Sequence, residues 1–231
     1  DYRATLETNG NEPVSYNGTG WQPDVAHQPS LTYLPYILTG DQYYLDQLEQ
    51  QTAWNILWRD PGYSRNWFRQ ESDGDYSIYG QQVRAYAWFL REASYAAWVS
   101  PDESAYKAYI ADVVEDALAD LTAKFVEQTL RGSVAGEVEG YLDANWRSDG
   151  SRPWQEDFVA SAMMMLSRMG FEGAAQFAEW QQDFVAGRFV NQDNGFDPVF
   201  GTNYTLSLYE KDASGNLVYN NTWADVFQSS V

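Results

Sequence analysis

The sequence predicts a mainly helical protein made of antiparallel helical hairpins, and two observations support this fold class. Apolar residues recur at helical spacing through most of the stretch between Pro29 and Gly187, as expected for helices with one buried face. Turn signals divide that stretch into three pairs of helices, with Thr39-Gly40-Asp41 and Gly170 at points where a helix ends. We accordingly divide the chain into an irregular lead-in, a hairpin domain and an irregular C-terminal segment packed on it: residues 1–26, 27–188 and 189–231.

The first predicted hairpin begins at Pro29, because proline suits the first turn of a helix. The apolar face of this helix consists of Leu31, Leu34 and Leu38. Pro35 lies inside the pattern, and we expect it to kink the helix because proline removes a backbone donor. Gly40 suits the end of this helix, and Asp41 suits the N-cap of the next one.

The second predicted hairpin starts with a helix over about residues 78–98, which has two distinct faces. Its buried face consists of Val83, Tyr86, Leu90, Ala93 and Ala97. Its opposite face consists of Gln81, Arg84, Trp88, Arg91 and Tyr95. Ser100-Pro101-Asp102-Glu103 then predicts a capping box, with Ser100 as the N-cap of a helix that runs to about residue 130.

The third predicted hairpin begins at Ser151, and Gly170 separates its two helices. The residues that its first helix is expected to bury are Phe158, Ala162, Met165 and Met169. Beyond this hairpin the apolar period changes from that of a helix to that of a strand. The alternating residues are Tyr204, Leu206 and Leu208, then Leu217 and Tyr219 after a turn at 212–215. This change predicts a short β-hairpin near the C-terminus.

The composition argues against several function classes. The chain has 231 residues and a net charge of −19, and only three of its 14 basic residues are lysines. Because such a surface repels nucleic-acid phosphates, we expect no nucleic-acid partner. The sequence has no apolar run of the roughly 18 residues that a membrane span needs, so we expect no span. With no cysteine and His27 as the single histidine, we expect neither a metal nor a cofactor.

The same composition bears on where the protein works. An acidic, lysine-poor surface is typical of secreted proteins from salty surroundings. We therefore expect an extracellular, secreted or particle-surface location. The chain begins at Asp1 and not at Met, so we expect a processed piece whose further partner is the remainder of a larger chain or assembly.

The aromatic content indicates a carbohydrate ligand. Aromatic residues make up 16% of the chain and include 10 Trp and 17 Tyr. These side chains combine a flat apolar face with a polar tip, and the apolar C–H faces of sugar rings stack on such planes. Two interpretations stay open: the aromatic residues line a glycan-binding cleft, or they only wedge helices together in a structural bundle.

Several short stretches resemble a known group of proteins. They are His27-Gln28-Pro29-Ser30-Leu31, Tyr33, Pro35-Tyr36, Thr39-Gly40-Asp41, Gln82-Val83-Arg84, Ala87-Trp88, Val99-Ser100-Pro101-Asp102 and Pro153-Trp154-Gln155-Glu156-Asp157-Phe158. With the three hairpins, they resemble carbohydrate-active proteins of the (α/α) toroid, or six-hairpin-like, type. Within that type they are most similar to uncharacterised bacterial and phage-linked toroid proteins related to polysaccharide lyases and glycoside hydrolases. The resemblance implies an α/α toroid, or part of one, that handles a polysaccharide, and it implies no established catalytic set.

Two kinds of cleavage chemistry are compatible with the residues. A lyase needs a group that neutralises a uronate carboxylate and a base that removes the C5 proton. Arg84, Asn145 or Gln82 suits the first role, and His27, Tyr33 or Tyr36 suits the second. Core packing is the alternative role of the two tyrosines, and His27 has the alternative of hydrogen bonding to a helix end.

A hydrolase needs two carboxyl groups on either side of the glycosidic oxygen. Glu156 and Asp157 stand in the first turn of a predicted helix beside Trp154, and Asp24 follows Trp21 in a similar setting. Acidic residues in a first helical turn also serve as ordinary partners of the helix dipole. The remaining substrate-binding candidates are aromatic or polar residues from helices and aromatic-rich loops: Trp21, Asp24, Tyr36, Trp67, Gln82, Trp88, Asn145, Trp146 and Trp154.

Three functions therefore remain open at the level of the sequence. The first is a protein that binds a polysaccharide in an aromatic-lined cleft and cleaves it as a lyase or a hydrolase. The second is a non-catalytic glycan-binding module on a cell or virion surface. The third is a structural helical bundle. A local positive pocket made by Arg84 and Arg91 would favour an acidic glycan, whereas two arginines turned into solvent would count against it.

Overall fold

The computed structural model describes residues 26–57, 68–70, 76–78, 82–127, 137–142 and 150–231, and this part of the chain is mainly helical, which confirms the predicted class. The helices are α1 (Tyr33–Thr39), α2 (Gln42–Leu57), α3 (Val83–Val99), α4 (Ala105–Leu121), α5 (Pro153–Met169), α6 (Ala174–Val185), α7 (Gly187–Val190) and α8 (Trp223–Ser230). A π-helical turn, Thr122–Glu127, extends α4, and two 3-10 turns follow α7 at Gln192–Asn194 and Pro198–Thr202.

Helix α3 lies at the centre of the helical packing. It contacts α2, α4 and α5, while α1 packs on α2 and α6 packs on α5. The reason lies in its sequence, since the predicted inward face from Val83 to Ala97 is buried along its whole length. The part of this helix that is not buried is therefore narrow. It lies beside α5, against which the helix packs.

Two apolar clusters hold the described residues together. The larger one fills the space between α3, α4, α5 and α6, and its fully buried members include Leu90, Ile110, Leu118, Met163, Leu166 and Phe177. The smaller one joins α6 to the C-terminal segment, and its members include Phe184, Phe196, Leu206, Leu208 and Trp223. Complete burial of side chains of this size contributes about 1.5–3 kcal/mol each.

The predicted C-terminal β-hairpin is confirmed. Strands β3 (Tyr209–Lys211) and β4 (Leu217–Tyr219) pair in antiparallel fashion, with Tyr209 opposite Tyr219. Another antiparallel pair joins β1 (Phe68–Gln70) and β2 (Tyr76–Ile78), which the sequence did not predict. The segment 189–231 is also more regular than predicted, because it contains helix α8.

The predicted start of the first helix was wrong. Helix α1 begins at Tyr33, four residues after Pro29, and Pro35 therefore lies in its first turn. Backbone N–H groups in a first turn have no intrahelical acceptor, so proline loses nothing there. The leucines that were expected to share one face are exposed: Leu31, Leu34 and Leu38 are 67%, 59% and 75% exposed.

The predicted capping box was also wrong. Ser100 follows α3 as its C-cap, and its hydroxyl donates to Glu49 at 2.9 Å. The N-cap of α4 is Ser104, whose hydroxyl oxygen accepts from the backbone N–H of Tyr106 at 3.2 Å. The two serines have the same capping chemistry, and the turn at 101–104 decides which of them is used.

The predicted buried face of α5 is wrong at the start of the helix. Phe158 is 37% exposed, whereas its neighbour Val159 is fully buried with Ala162, Met163 and Leu166. Phe158 contacts the rings of Trp88 and Trp154 instead. Among the described residues, no helix has the length and apolar character needed to cross a membrane.

Candidate functional site

A continuous row of aromatic and arginine side chains runs across α3, α5 and the segment before β3. We call it the aromatic–arginine strip, and its members are Arg84, Trp88, Arg91, Arg152, Trp154, Phe158 and Tyr204. The ring centroids of Trp88 and Phe158 lie 4.7 Å apart, those of Phe158 and Trp154 lie 5.6 Å apart, and those of Trp154 and Tyr204 lie 5.8 Å apart. These separations are typical of aromatic contacts.

Each arginine of the strip lies over one of its rings. The guanidinium carbon is 4.6 Å from the ring centroid of Trp88 for Arg91, 5.5 Å from that of Trp154 for Arg84, and 5.6 Å from that of Tyr204 for Arg152. Cation–π contact of this kind favours a fixed position for both partners. The strip therefore presents planar apolar rings with cations beside them.

Helical spacing explains how α3 and α5 build most of the strip. Arg84, Trp88 and Arg91 follow one another at intervals of four and three residues, which places them on one face of α3. Trp154 and Phe158 are four residues apart on α5, and this helix packs against α3. The prediction that Arg84, Trp88 and Arg91 share a face of one helix is confirmed.

Tyr204 joins the strip through a backbone contact far along the chain. Ser151 and Leu206 exchange two backbone hydrogen bonds, of 2.9 Å and 3.0 Å. This bridge brings the segment around Tyr204 beside the start of α5. Gly150 has a φ of +92°, and a Cβ there would lie 2.2 Å from the carbonyl oxygen of Leu206, so the approach requires glycine.

Part of the strip is open to solvent. Phe158 is 37% exposed and Tyr204 is 67% exposed, while Trp88 and Trp154 are partly buried. The rings of Phe158 and Tyr204 therefore present apolar surface to solvent.

His27 lies beside the Trp88 end of the strip. The carbonyl oxygen of Ala26 accepts the indole N–H of Trp88 at 3.0 Å, and the carbonyl oxygen of Gln28 accepts from Arg91. The backbone on both sides of His27 is therefore attached to the strip, while the His27 residue itself is exposed. His27 is the single histidine of the sequence.

A buried polar network supports this end of the strip from beneath. Glu92 is fully buried, and its carboxylate lies 2.7 Å from the Arg91 guanidinium and accepts from the Ser30 hydroxyl at 3.5 Å. Burial raises the pKa of Glu92, although the charge of Arg91 and these hydrogen bonds act in the opposite direction. Gln28 and Asn55 exchange hydrogen bonds through their side-chain amides, which fixes the segment before α1 on α2.

The two carboxylates proposed for hydrolysis are engaged by neighbouring groups. Glu156 is fully buried, and both of its oxygens accept from the backbone N–H of Leu142 at 3.1 Å. Asp157 pairs with Arg188, a residue that is 1% exposed and also donates to the carbonyl oxygen of Gly201 at 2.8 Å. These contacts give both acids a structural partner.

The remaining predicted residues divide into those near α3 and those outside the described residues. Tyr33 stacks on Tyr95 of α3, with ring centroids 3.7 Å apart and planes at 5°. Gln82 is the partly buried residue that precedes α3, and Tyr36 is partly buried in α1. Five predicted residues lie outside the described residues: Trp21, Asp24, Trp67, Asn145 and Trp146.

Sequence reasoning missed Phe158, Tyr204, Arg152 and Glu92 as residues of this region. Phe158 had been assigned to the core of α5, and Tyr204 to an alternating strand pattern. Arg152 is the residue before α5, and its charge alone did not indicate a position beside the aromatic rings. Within the described ranges, no group of three or more His, Asp or Glu side chains is arranged to hold a metal ion.

Comparison with known proteins gave no relative from which a role can be carried over. No family model matches the chain, and neither the curated proteins nor the solved structures give a significant match.

Proposed function

We propose that this protein binds a polysaccharide along the aromatic–arginine strip. The observation that supports this proposal is the row of four contacting rings, two of them clearly exposed, which is assembled from α3, α5 and Tyr204. Sugar rings stack their apolar faces on such planes, and several adjoining planes suit a chain of sugars better than a single one. The strip corresponds to the aromatic-lined cleft of the sequence hypothesis, and the α/α toroid remains part of this proposal.

Cleavage of the bound chain is the second candidate function, and the position of His27 favours it. His27 is exposed and is held at the Trp88 end of the strip by the backbone bonds of its two neighbours. A lyase version uses His27 as the base that removes the C5 proton of a uronate. The hydrolase version has less support, because Glu156 is buried and Asp157 is paired with Arg188.

A retention experiment with immobilised polysaccharides tests the binding proposal. The full chain is passed over acidic and neutral polymers, together with the variants Trp154→Ala and Tyr109→Ala. Tyr109 is a 40% exposed aromatic residue on α4, outside the strip, and serves as the matched control. We expect Trp154→Ala to lose retention and Tyr109→Ala to keep it. Equal retention of the two variants, or no retention of the wild type, would overturn the proposal.

Cleavage is tested on the polymers that are retained. A lyase raises both the ultraviolet absorbance of the unsaturated product and the number of reducing ends, and we expect His27→Ala to abolish both. A rise in reducing ends alone would identify a hydrolase and direct attention to Asp157. Retention without either signal would establish the non-catalytic binding module. If the wild type is retained and no substitution in the strip reduces that retention, the aromatic residues of the strip only pack helices together, as in the structural bundle.

A further inference from the structure

Arg84 is a partly buried cation with no anionic partner in the part of the chain that the structure describes. Its guanidinium lies over the Trp154 ring, and its Nε is shielded from solvent without a hydrogen-bond acceptor. Other cations of the described residues do have carboxylate partners: Arg91 with Glu92, Lys107 with Asp102, Lys124 with Asp120, and Arg188 with Asp157. Arg168 and Lys211 also have no carboxylate partner among the described residues, but both are exposed, whereas Arg84 is partly buried.

The acidic residues on the two helices that carry the strip explain why Arg84 lacks a partner. Glu92 of α3 is paired with Arg91. On α5, Glu156 accepts the backbone N–H of Leu142, and Asp157 is paired with Arg188. All three carboxylates are thus engaged elsewhere, and none of them pairs with Arg84.

Two hydrogen-bond donors at this end also have no acceptor among the described residues. The indole Nε1 of Trp154 has no acceptor among the described residues, as is the case for Nε of Arg84. Arg152 lies over the adjoining ring of Tyr204 and donates to the carbonyl oxygen of Gly150 at 3.0 Å. A ligand anion that approaches the partly exposed guanidinium of Arg84 supplies the negative charge that Arg84 lacks among the described residues.

We propose that the ligand of the strip is an acidic polysaccharide, whose anionic group is bound by Arg84 at the Trp154 end. This inference rests on the proposed function and names its substrate class. Because Arg84 covers one face of Trp154, the sugar ring stacks on the exposed neighbours Phe158 and Tyr204. The partial exposure of the Arg84 side chain lets a carboxylate or a sulfate approach its guanidinium.

Matched polymers that differ only in charge test this inference. The full chain is titrated with polygalacturonate, with its fully methyl-esterified form, with dextran sulfate and with dextran. We expect binding of at least one charged polymer and weaker binding of its neutral counterpart, with an affinity that falls as salt is added. Binding of polygalacturonate alone would identify a carboxylate, and binding of dextran sulfate alone would identify a sulfate.

Two variants with the same change of charge assign the effect to Arg84. We expect Arg84→Gln to weaken binding of the charged polymer about tenfold or more, as for a lost charge-assisted hydrogen bond. Arg168→Gln alters an exposed arginine at the far end of α5 and should bind like the wild type. Thermal unfolding of both variants reports whether each is folded, and Arg84→Lys should recover part of the affinity.

The outcomes separate this inference from the function on which it rests. If neutral and charged polymers bind equally well and Arg84→Gln changes neither affinity, the acidic substrate class is overturned while glycan binding stands. If no polymer binds the wild type, the proposed function fails and the substrate class fails with it. Equal losses in Arg84→Gln and Arg168→Gln would indicate a general charge effect and would also overturn the role of Arg84.

Discussion

The indole N–H of Trp88 donates a 3.0 Å hydrogen bond to the carbonyl oxygen of Ala26, which attaches the segment before α1 to the exposed face of α3. The two residues are 62 positions apart in the chain. The same indole ring contacts Phe158 and lies beneath Arg91. Trp88 therefore has two separable roles, one through its ring and one through its N–H group.

Trp88→Phe tests the role of the N–H group, because phenylalanine keeps an aromatic ring and loses the donor. We expect the free energy of unfolding to fall by about 1 kcal/mol, since the hydrogen bond to the carbonyl of the buried residue Ala26 is lost. Trp98→Phe is the control, because Trp98 is 52% exposed on the same helix and should change stability by less than about 0.5 kcal/mol. Urea unfolding measures both, and equal changes would contradict the assigned role.

The sequence predicted the part of the strip that lies within one helix. Arg84, Trp88 and Arg91 share a face because helical spacing is a local property, and this face could be derived from the sequence before any contact was known. Phe158 was missed because a shift of one position moves a residue by about 100° around a helix. The apolar character of Phe158 gives no indication of which side it faces.

Tyr204 and Arg152 could not be placed from the sequence, because their position depends on a pairing between distant segments. The bridge between Ser151 and Leu206 brings Tyr204 to Trp154, and nothing in either local pattern specifies that partner. The unsuccessful prediction at Ser100 has a related cause. Two serines with the same capping chemistry stand four residues apart, and the packing of the turn between them selects Ser104.

The buried carboxyl group of Glu92 predicts a pH dependence of stability. Its pKa is raised above the usual 4.5, first by burial. The folded state therefore binds more protons than the unfolded state at pH values between 4.5 and the raised pKa, so stability is lost as pH rises through that range. Glu92→Gln removes this titration, and we expect the variant to gain stability relative to the wild type as pH rises above 4.5.

Urea unfolding at several pH values measures this difference. Asp102→Asn is a useful comparison, because a hydrogen bond from Lys107 lowers the pKa of Asp102. The pH dependence of stability then has the opposite sign. The free energy of unfolding of the wild type should fall, relative to that of Asp102→Asn, as pH falls. A difference between Glu92→Gln and the wild type that does not change with pH would contradict the raised pKa.

The pair formed by Asp157 and Arg188 predicts a loss of stability when the acid is neutralised. Arg188 is 1% exposed, so Asp157→Asn leaves a buried guanidinium without its anionic partner, and only neutral acceptors such as the carbonyl of Gly201 remain. Removing one partner of a fully buried pair costs about 3–5 kcal/mol. Because the Asp157 side chain is 44% exposed, solvent screening reduces the expected loss to about 1–3 kcal/mol.

The same variant distinguishes the structural role of Asp157 from a catalytic one. We expect Asp157→Asn to lower the midpoint of urea unfolding and to keep polysaccharide binding wherever the variant remains folded. A catalytic carboxylate would behave differently, since its loss would abolish cleavage at unchanged stability. Reducing-end release measured below the unfolding transition decides between the two results.

Gly150→Ala tests how Tyr204 is held in the strip. The φ of Gly150 is +92°, and a Cβ at this position would lie 2.2 Å from the carbonyl oxygen of Leu206. We expect this substitution to break the bridge between Ser151 and Leu206 and to release Tyr204 from Trp154. Both the free energy of unfolding and the affinity for the polysaccharide should fall.

Gly170→Ala separates the steric clash from the cost of the backbone conformation. Gly170 has almost the same φ, +90°, but a Cβ there would meet nothing within 4 Å. Its substitution should cost only the strain of a left-handed residue, about 1–2 kcal/mol, and should leave the affinity unchanged. Gly150→Ala carries that strain and the clash together, so it must be the more destabilised of the two. If both alanine variants unfold at the same urea concentration and bind the polysaccharide equally well, the bridge is not what positions Tyr204.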